Sequence, residues 1–150
     1  MRRDLKVRLF QATVESILLY GSETWTISKS LSKRIDGCYT RMLRMALNIN
    51  WRDKINNNTV YGTMPRATVK IRERRLRLAG HVQRHDDLTA HKVLFWDPQH
   101  GHRRPGRPHL TYIDVLKDDT GLNNSAEIQS LMLNRELWRY STRVRTLEPT

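Results

Sequence analysis

A mainly α fold is predicted for this chain: a small helical bundle, then a basic Pro/Arg loop, then a C-terminal helical segment. Three observations carry that expectation. Apolar residues recur at three- and four-residue spacing over 5–20, 30–49 and 67–84, the period of helices that turn one face to a core. Gly21, Gly62 and Pro65 interrupt the chain between those runs, and glycine and proline are the strongest local breakers of helix. Pro98, Pro105 and Pro108 gather after the third run, where each holds the residue before it in extended backbone.

In chain order, Leu5, Leu9, Ala12 and Leu19 share one face of the first helix while Val7, Phe10, Val14 and Ile17 cover another. A helix apolar on two sides is expected at the centre of the packing. Gly21 closes it, since a residue without Cβ takes left-handed backbone freely. The segment SETWTIS follows, rich in strand and loop formers, with Trp25 expected as a lid over the core. Ser28 or Ser30 caps the second helix. Its core stripe is expected to be Leu31, Ile35, Cys38, Met42, Met45, Ala46 and Ile49, with Lys33, Arg34, Arg41 and Arg44 opposite.

The asparagine-rich stretch from Asn48 to Asn58 reads as a turn. Residues 67–84, ATVKIRERRLRLAGHVQR, form a third helix with Ala67, Ile71, Leu78 and Val82 toward the core. Beside that stripe runs a cationic one of Lys70, Arg74, Arg77, His81 and Arg84. Residues 88–96 read as a short strand or helix, and 112–117 as weakly helical. Asn124, with Glu127 three residues on, resembles a capping box that opens one final helix to about Val144. The expected organisation is a bundle over 1–84, a basic connector over 85–110 and a small helical segment over 111–150.

The chain carries 27 Lys and Arg against 15 Asp and Glu, a formal charge of +12. Solubility alone needs a magnitude of about 2–8, so the excess points to a polyanionic partner, nucleic acid first. Residues 51–110 hold 13 basic and 5 acidic side chains, so the anion is expected to dock there. The lone Cys38 excludes an intrachain disulfide and any zinc site needing two thiolates. No apolar run is long enough for a membrane span. A soluble nuclear or cytoplasmic chain is expected, not a secreted one and not one with a membrane partner.

Each chemistry-bearing pattern in the sequence has a structural alternative. His81 and His85 have the i, i+4 spacing of two ligands on one helix face, but HVQRH lacks the glutamate base of a metallohydrolase helix. Asp86 with Asp87, and Asp118 with Asp119, lie in turn contexts rather than in an apolar strand, so neither is read as a magnesium pair. No catalytic residue, metal ligand or cofactor is expected. The nucleic-acid contacts are expected from Lys70, Arg74, Arg77 and Arg84 on the helix and from Arg103, Arg104 and Arg107 in HRRPGRP. Arginine suits bidentate phosphate contacts. A proline-stiffened arm over 97–108 reaches as far as ~40 Å and, with its Gly-Arg-Pro core, either follows a groove or only supplies charge.

Several blocks together resemble the region downstream of the polymerase core in animal non-LTR, LINE-type retrotransposon reverse transcriptases. They are KVRLFQATVESILLYGSETWTIS, KRIDGCYTRMLRMALNINWRD, RERRLRLAGHVQRH, GHRRPGRPHLTYIDVLKDDTG and NRELWR, in that order from Lys6 to Arg139. The resemblance implies a thumb-like bundle and a post-polymerase connector, in a protein whose other parts are an endonuclease and the palm and fingers. That family copies RNA into DNA at a nicked target. The aromatic-Ala-Asp-Asp palm motif is absent from this sequence, so the likeness is to a truncated C-terminal region and polymerase activity is not carried over.

The expected function is therefore contact with template/primer or target DNA, partners being RNA, DNA or their hybrid. The alternative is a structural module that packs on a polymerase palm and fingers core. A metal-dependent nuclease is the third reading.

Overall fold

The computed structural model describes residues 1–85, 87, 89–94, 106 and 110–146. The fold is mainly α, and no strand occurs among the described residues. The chain divides into two compact units, Met1–Ser22 with Ser28–Ile71 and Glu23–Ile27 with Arg72–Thr150. The segment 1–84 thus contributes to both units.

The first unit opens with α1 (Arg3–Phe10), a π-helical turn (Gln11–Glu15) and α2 (Ser16–Leu18). The π turn adds one residue to the helical repeat. Its effect is that Phe10, Glu15 and Leu19, five and then four residues apart, all face inward. Leu5, Leu9, Val14 and Ile17 form the opposite row and are exposed, Ile17 at 78%. The expectation of a helix buried on two sides is corrected here: one apolar row packs and the other faces outward. Gly21 follows with φ +65, as the helix-closing role requires.

Helix α3 (Lys29–Leu47) is the long element of this unit, capped by Ser28 Oγ, which accepts from the Leu31 N–H at 3.3 Å. It ends at Asn48, in left-handed backbone with φ 59. The inward face of α3 is set by Tyr39 and Leu43, both fully buried. The expected stripe is therefore rotated by about 100°, one helical residue. Cys38 and Met45 are exposed rather than buried. The aromatic anchor decides the matter, because the Tyr39 ring meets Phe10 edge-on at 5.3 Å and stacks on Tyr61 at 6.1 Å, contacts that a thiol or thioether at position 38 or 45 does not offer.

Polar contacts tie the other segments of the unit to these helices. Helix α4 (Asn57–Tyr61) is capped by Asn56, and its backbone carbonyls at Thr59 and Val60 each accept from Arg3 at 2.9 Å. Arg44 donates to the Ile55 carbonyl and to Asn57. Asp36 accepts from the Thr68 N–H at 3.0 Å and its hydroxyl at 2.7 Å, which fixes the start of α5 (Ala67–Gln83).

The second unit holds the rest of α5 with α6 (Thr89–Leu94), α7 (Tyr112–Thr120), α8 (Ser125–Leu133) and α9 (Arg135–Thr146). Thr111 and Asp114 form a capping box at the start of α7, and Gly121 closes that helix with φ 64. Asn124 caps α8 by accepting from the Ala126 N–H at 3.0 Å. The single final helix expected from Asn124 is corrected to two. Asn134 sits in extended backbone, and its side chain accepts from the Glu136 and Leu137 N–H groups, both at 3.1 Å. An asparagine that caps a new helix in this way competes with continuation of the old one.

The core of this unit is Leu76, Ala79, Leu116, Ile128, Met132 and Trp138. Gly80 makes the packing possible. A Cβ there would sit 2.7 Å from Trp138 Cδ1 and closer still to Nε1, so only glycine lets the indole lie on α5. The Trp138 N–H then donates to the Leu76 carbonyl at 2.9 Å. Two separated sequence blocks, RLAGH and NRELWR, meet in this one contact.

Candidate nucleic-acid interface

The cations of α5 have different fates, which the linear spacing does not show. Lys70, expected on the cationic stripe, turns inward in the first unit. Its ammonium lies 2.5 Å from Glu15 Oε2, with side-chain exposures of 12% and 10%. Tyr39 donates to the same carboxylate at 2.6 Å. Burial, followed by that hydrogen bond and the Glu15 charge, holds the Tyr39 phenol well above its ordinary range.

In the second unit Arg75, not singled out by the sequence, is buried and structural. It donates to Asp119 at 2.7 Å and to the Trp25 carbonyl at 2.7 Å. Arg72 reaches the Asp119 backbone carbonyl and carboxylate as well. Asp119 is thus an arginine acceptor, and burial raises its carboxyl against the pull of Arg75 and Arg72. Arg84 is half-buried and donates to the Met132 carbonyl at 2.7 Å. Burial and the neighbouring charge of Arg135 lower its pKa.

Arg74, Arg77 and His81 come together at one site. With Leu78 and Glu23 they line a shallow cleft of about 390 Å³, all within the second unit. The i, i+3 and i+4 spacings put the three basic side chains on one side of the helix, Arg77 and His81 being exposed and Arg74 half-buried. Glu23 contributes an acidic side chain to this lining. The arrangement suits an anion held by guanidinium groups. His85 stands beside His81, ring centroids 4.4 Å apart. Among the described residues no group of three or more His, Cys, Asp or Glu gathers for a metal ion.

Arg103, Arg104 and Arg107, on which the expectation of an arm over 97–108 rests, lie outside the described residues, as does Asp86. Asp118 is exposed beside the paired Asp119. No helix among the described residues is long and apolar enough to cross a membrane.

Comparison with known proteins gives one line of evidence on origin. An uncharacterized transposon-derived protein of Caenorhabditis elegans is 28% identical over 124 residues, covering 78% of this chain and 44% of the relative. The likeness supports a transposon-related origin. The chain spans less than half the length of that relative. No protein-family model matches the chain, and no solved structure matches it.

Proposed function

We propose that this chain is the nucleic-acid-binding, thumb-like and post-polymerase portion of a non-LTR, LINE-type retrotransposon reverse transcriptase. It contacts template/primer or target DNA without a polymerase site of its own. The observation that carries the reading is the cleft of Arg74, Arg77 and His81, and the transposon-derived relative supports it. Arg84 extends the contact from the next turn of the chain, and Arg103, Arg104 and Arg107 add an arm to it. Lys70 acts indirectly, by holding Glu15 and with it the first unit.

The test is a titration with RNA, duplex DNA and RNA–DNA hybrid at two salt concentrations. Each released counterion contributes to the salt dependence, with a slope of about −0.9 per phosphate contacted on B-form DNA. Combined Arg74→Ala and Arg77→Ala is expected to make that slope shallower by about 2. Salt-insensitive binding, or none at low salt, overturns the proposal.

A second reading rests on a separate observation, the exposed row Leu5, Leu9, Val14 and Ile17 in the first unit. Such a row fits a module that packs on further protein, such as a polymerase palm and fingers core. The isolated chain would then self-associate and bind a hydrophobic dye, and Leu9→Glu with Ile17→Glu would abolish both behaviours while the fold persisted. A monodisperse chain that binds no dye would rule this reading out.

A further inference from the structure

A second cationic surface lies on α3, in the first unit, and shares no residue with the cleft. The inward face of that helix is fixed by Tyr39 and Leu43. At 100° per residue, Lys33, Arg34, Gly37 and Arg41 occupy an arc of about 100° whose centre lies roughly 150° from that face; Arg44 falls within the same arc but is half-buried in its bonds to Ile55 and Asn57. The other four are exposed, as are Lys29 and Cys38 at its margins. The acidic residue of α3, Asp36, faces away from the arc into its hydrogen bonds with Thr68. The arc therefore carries positive charge with no acid among it.

Two further features give the surface a fit to one ligand class. The first unit holds 13 basic and 4 acidic side chains, nine of the chain's twelve net positive charges, although 51–110 is the most basic stretch of the sequence. Two of those four acids, Glu15 and Asp36, are occupied by internal partners. Gly37 sits in the middle of the arc, and a Cβ there would meet nothing within 4 Å. A glycine inside a helix weakens it, and no contact among the described residues uses the space; a flat centre flanked by cations lets a backbone of phosphates approach the helix closely. From Lys33 to Arg41 the surface runs about 12 Å along the axis, a length that spans several charges of a duplex at one per ~1.7 Å.

We infer that the outer face of α3, through Lys33, Arg34 and Arg41 around Gly37, is a docking surface for the sugar–phosphate backbone of a nucleic acid. This rests on the nucleic-acid reading above but uses none of its residues. The face serves for positioning rather than for sequence recognition, since phosphate contacts carry no base information.

Cys38 provides a direct test, because it is the chain's single cysteine and lies exposed at the edge of the arc. Maleimide modification of the full chain is timed alone, with saturating duplex DNA or RNA at low salt, and with phosphatidylserine vesicles of matched charge. Nucleic acid is expected to slow modification at least tenfold, an effect reversed by high salt. The Lys33→Gln, Arg34→Gln, Arg41→Gln variant, checked for unchanged helix content, should lose that protection and bind with a salt slope shallower by about 0.9 for each contact removed.

Binding with no protection of Cys38 overturns the α3 surface and leaves the α5 cleft standing. Absence of binding at low salt overturns both. Protection by vesicles but not by nucleic acid assigns the face to a lipid surface and overturns the inference.

Discussion

At the residue scale, two helical glycines make opposite predictions for one substitution. Gly37 costs α3 about 0.5–1 kcal/mol relative to alanine, and a Cβ there meets nothing, so Gly37→Ala should raise stability by that amount. Gly80 sits under the Trp138 indole. There the same propensity gain of about 1 kcal/mol is outweighed by overpacking of about 1–3 kcal/mol and by a buried N–H stranded from the Leu76 carbonyl at about 1–3 kcal/mol. Gly80→Ala should therefore lose about 1–5 kcal/mol, as denaturant midpoints would measure. Tyr112 gives a pH prediction. It donates to the Glu23 carbonyl at 3.1 Å, and burial, only partly opposed by Arg75, pushes its phenol up to about 12. The unfolded phenol ionises near 10. Between about pH 10 and 12 the unfolded state therefore holds fewer protons than the folded one, and stability falls as pH rises, by at most about 1.4 kcal/mol per pH unit. Tyr112→Phe should remove that residue's share of the slope and one tyrosinate step near pH 12 in absorbance at 295 nm, while the more strongly shifted Tyr39 ionises later.

At the element scale, the π turn of Gln11–Glu15 behaves as a one-residue insertion into a helix. Deleting the exposed Ala12 would return the repeat to α spacing and still leave Phe10, Glu15 and Leu19 in one inward row. Helix content by circular dichroism should hold and the melting temperature should not fall; a collapse of either would show that the π geometry itself is required. The same segment marks what the sequence does and does not disclose about elements. Caps and stops were legible, because Ser28, Asn124 and Gly21 act through local backbone chemistry that travels with the residue. The inward face of α3 was not, since Ile35–Tyr39–Leu43 and the Cys38–Met42–Met45 row are both apolar at helical spacing, and only the distant Phe10 and Tyr61 rings choose between them. The break at Asn134 was hidden for a similar reason, asparagine being tolerable inside a helix until its side chain turns to cap. For the candidate site, the positive charge of α5 was plain, but charge in a sequence has no address. Lys70 and Arg75 are neutralised by Glu15 and Asp119, 55 and 44 residues away, while Arg84 keeps its charge and is positioned by one bond to the Met132 carbonyl, 48 residues away.

At the scale of the whole molecule, the same charge acts on folding and on binding with opposite dependence on salt. A chain at +12 repels itself, and in the first unit that repulsion is concentrated on exposed helix faces such as Lys33, Arg34 and Arg41. The ion pairs holding the units are sheltered: Lys70 with Glu15 has side-chain exposures of 12% and 10%, and Arg75 with Asp119 has 6% and 11%. Salt screens exposed charges strongly and sheltered pairs weakly, the Debye length shrinking from roughly 14 Å to 7 Å between 50 and 200 mM. Raising salt across that range should thus remove repulsion while leaving the structural pairs nearly intact. The melting temperature is expected to rise by about 2–4 °C, which corresponds to about 1 kcal/mol for a chain of this size, while affinity for duplex DNA falls. The Lys33→Gln, Arg34→Gln, Arg41→Gln variant should begin from the higher melting temperature at low salt and respond less to added salt. If the melting temperature instead fell with salt in the natural chain, attraction between exposed charges would outweigh repulsion. The cationic face of α3 would then have intramolecular partners rather than be held open for a phosphate backbone.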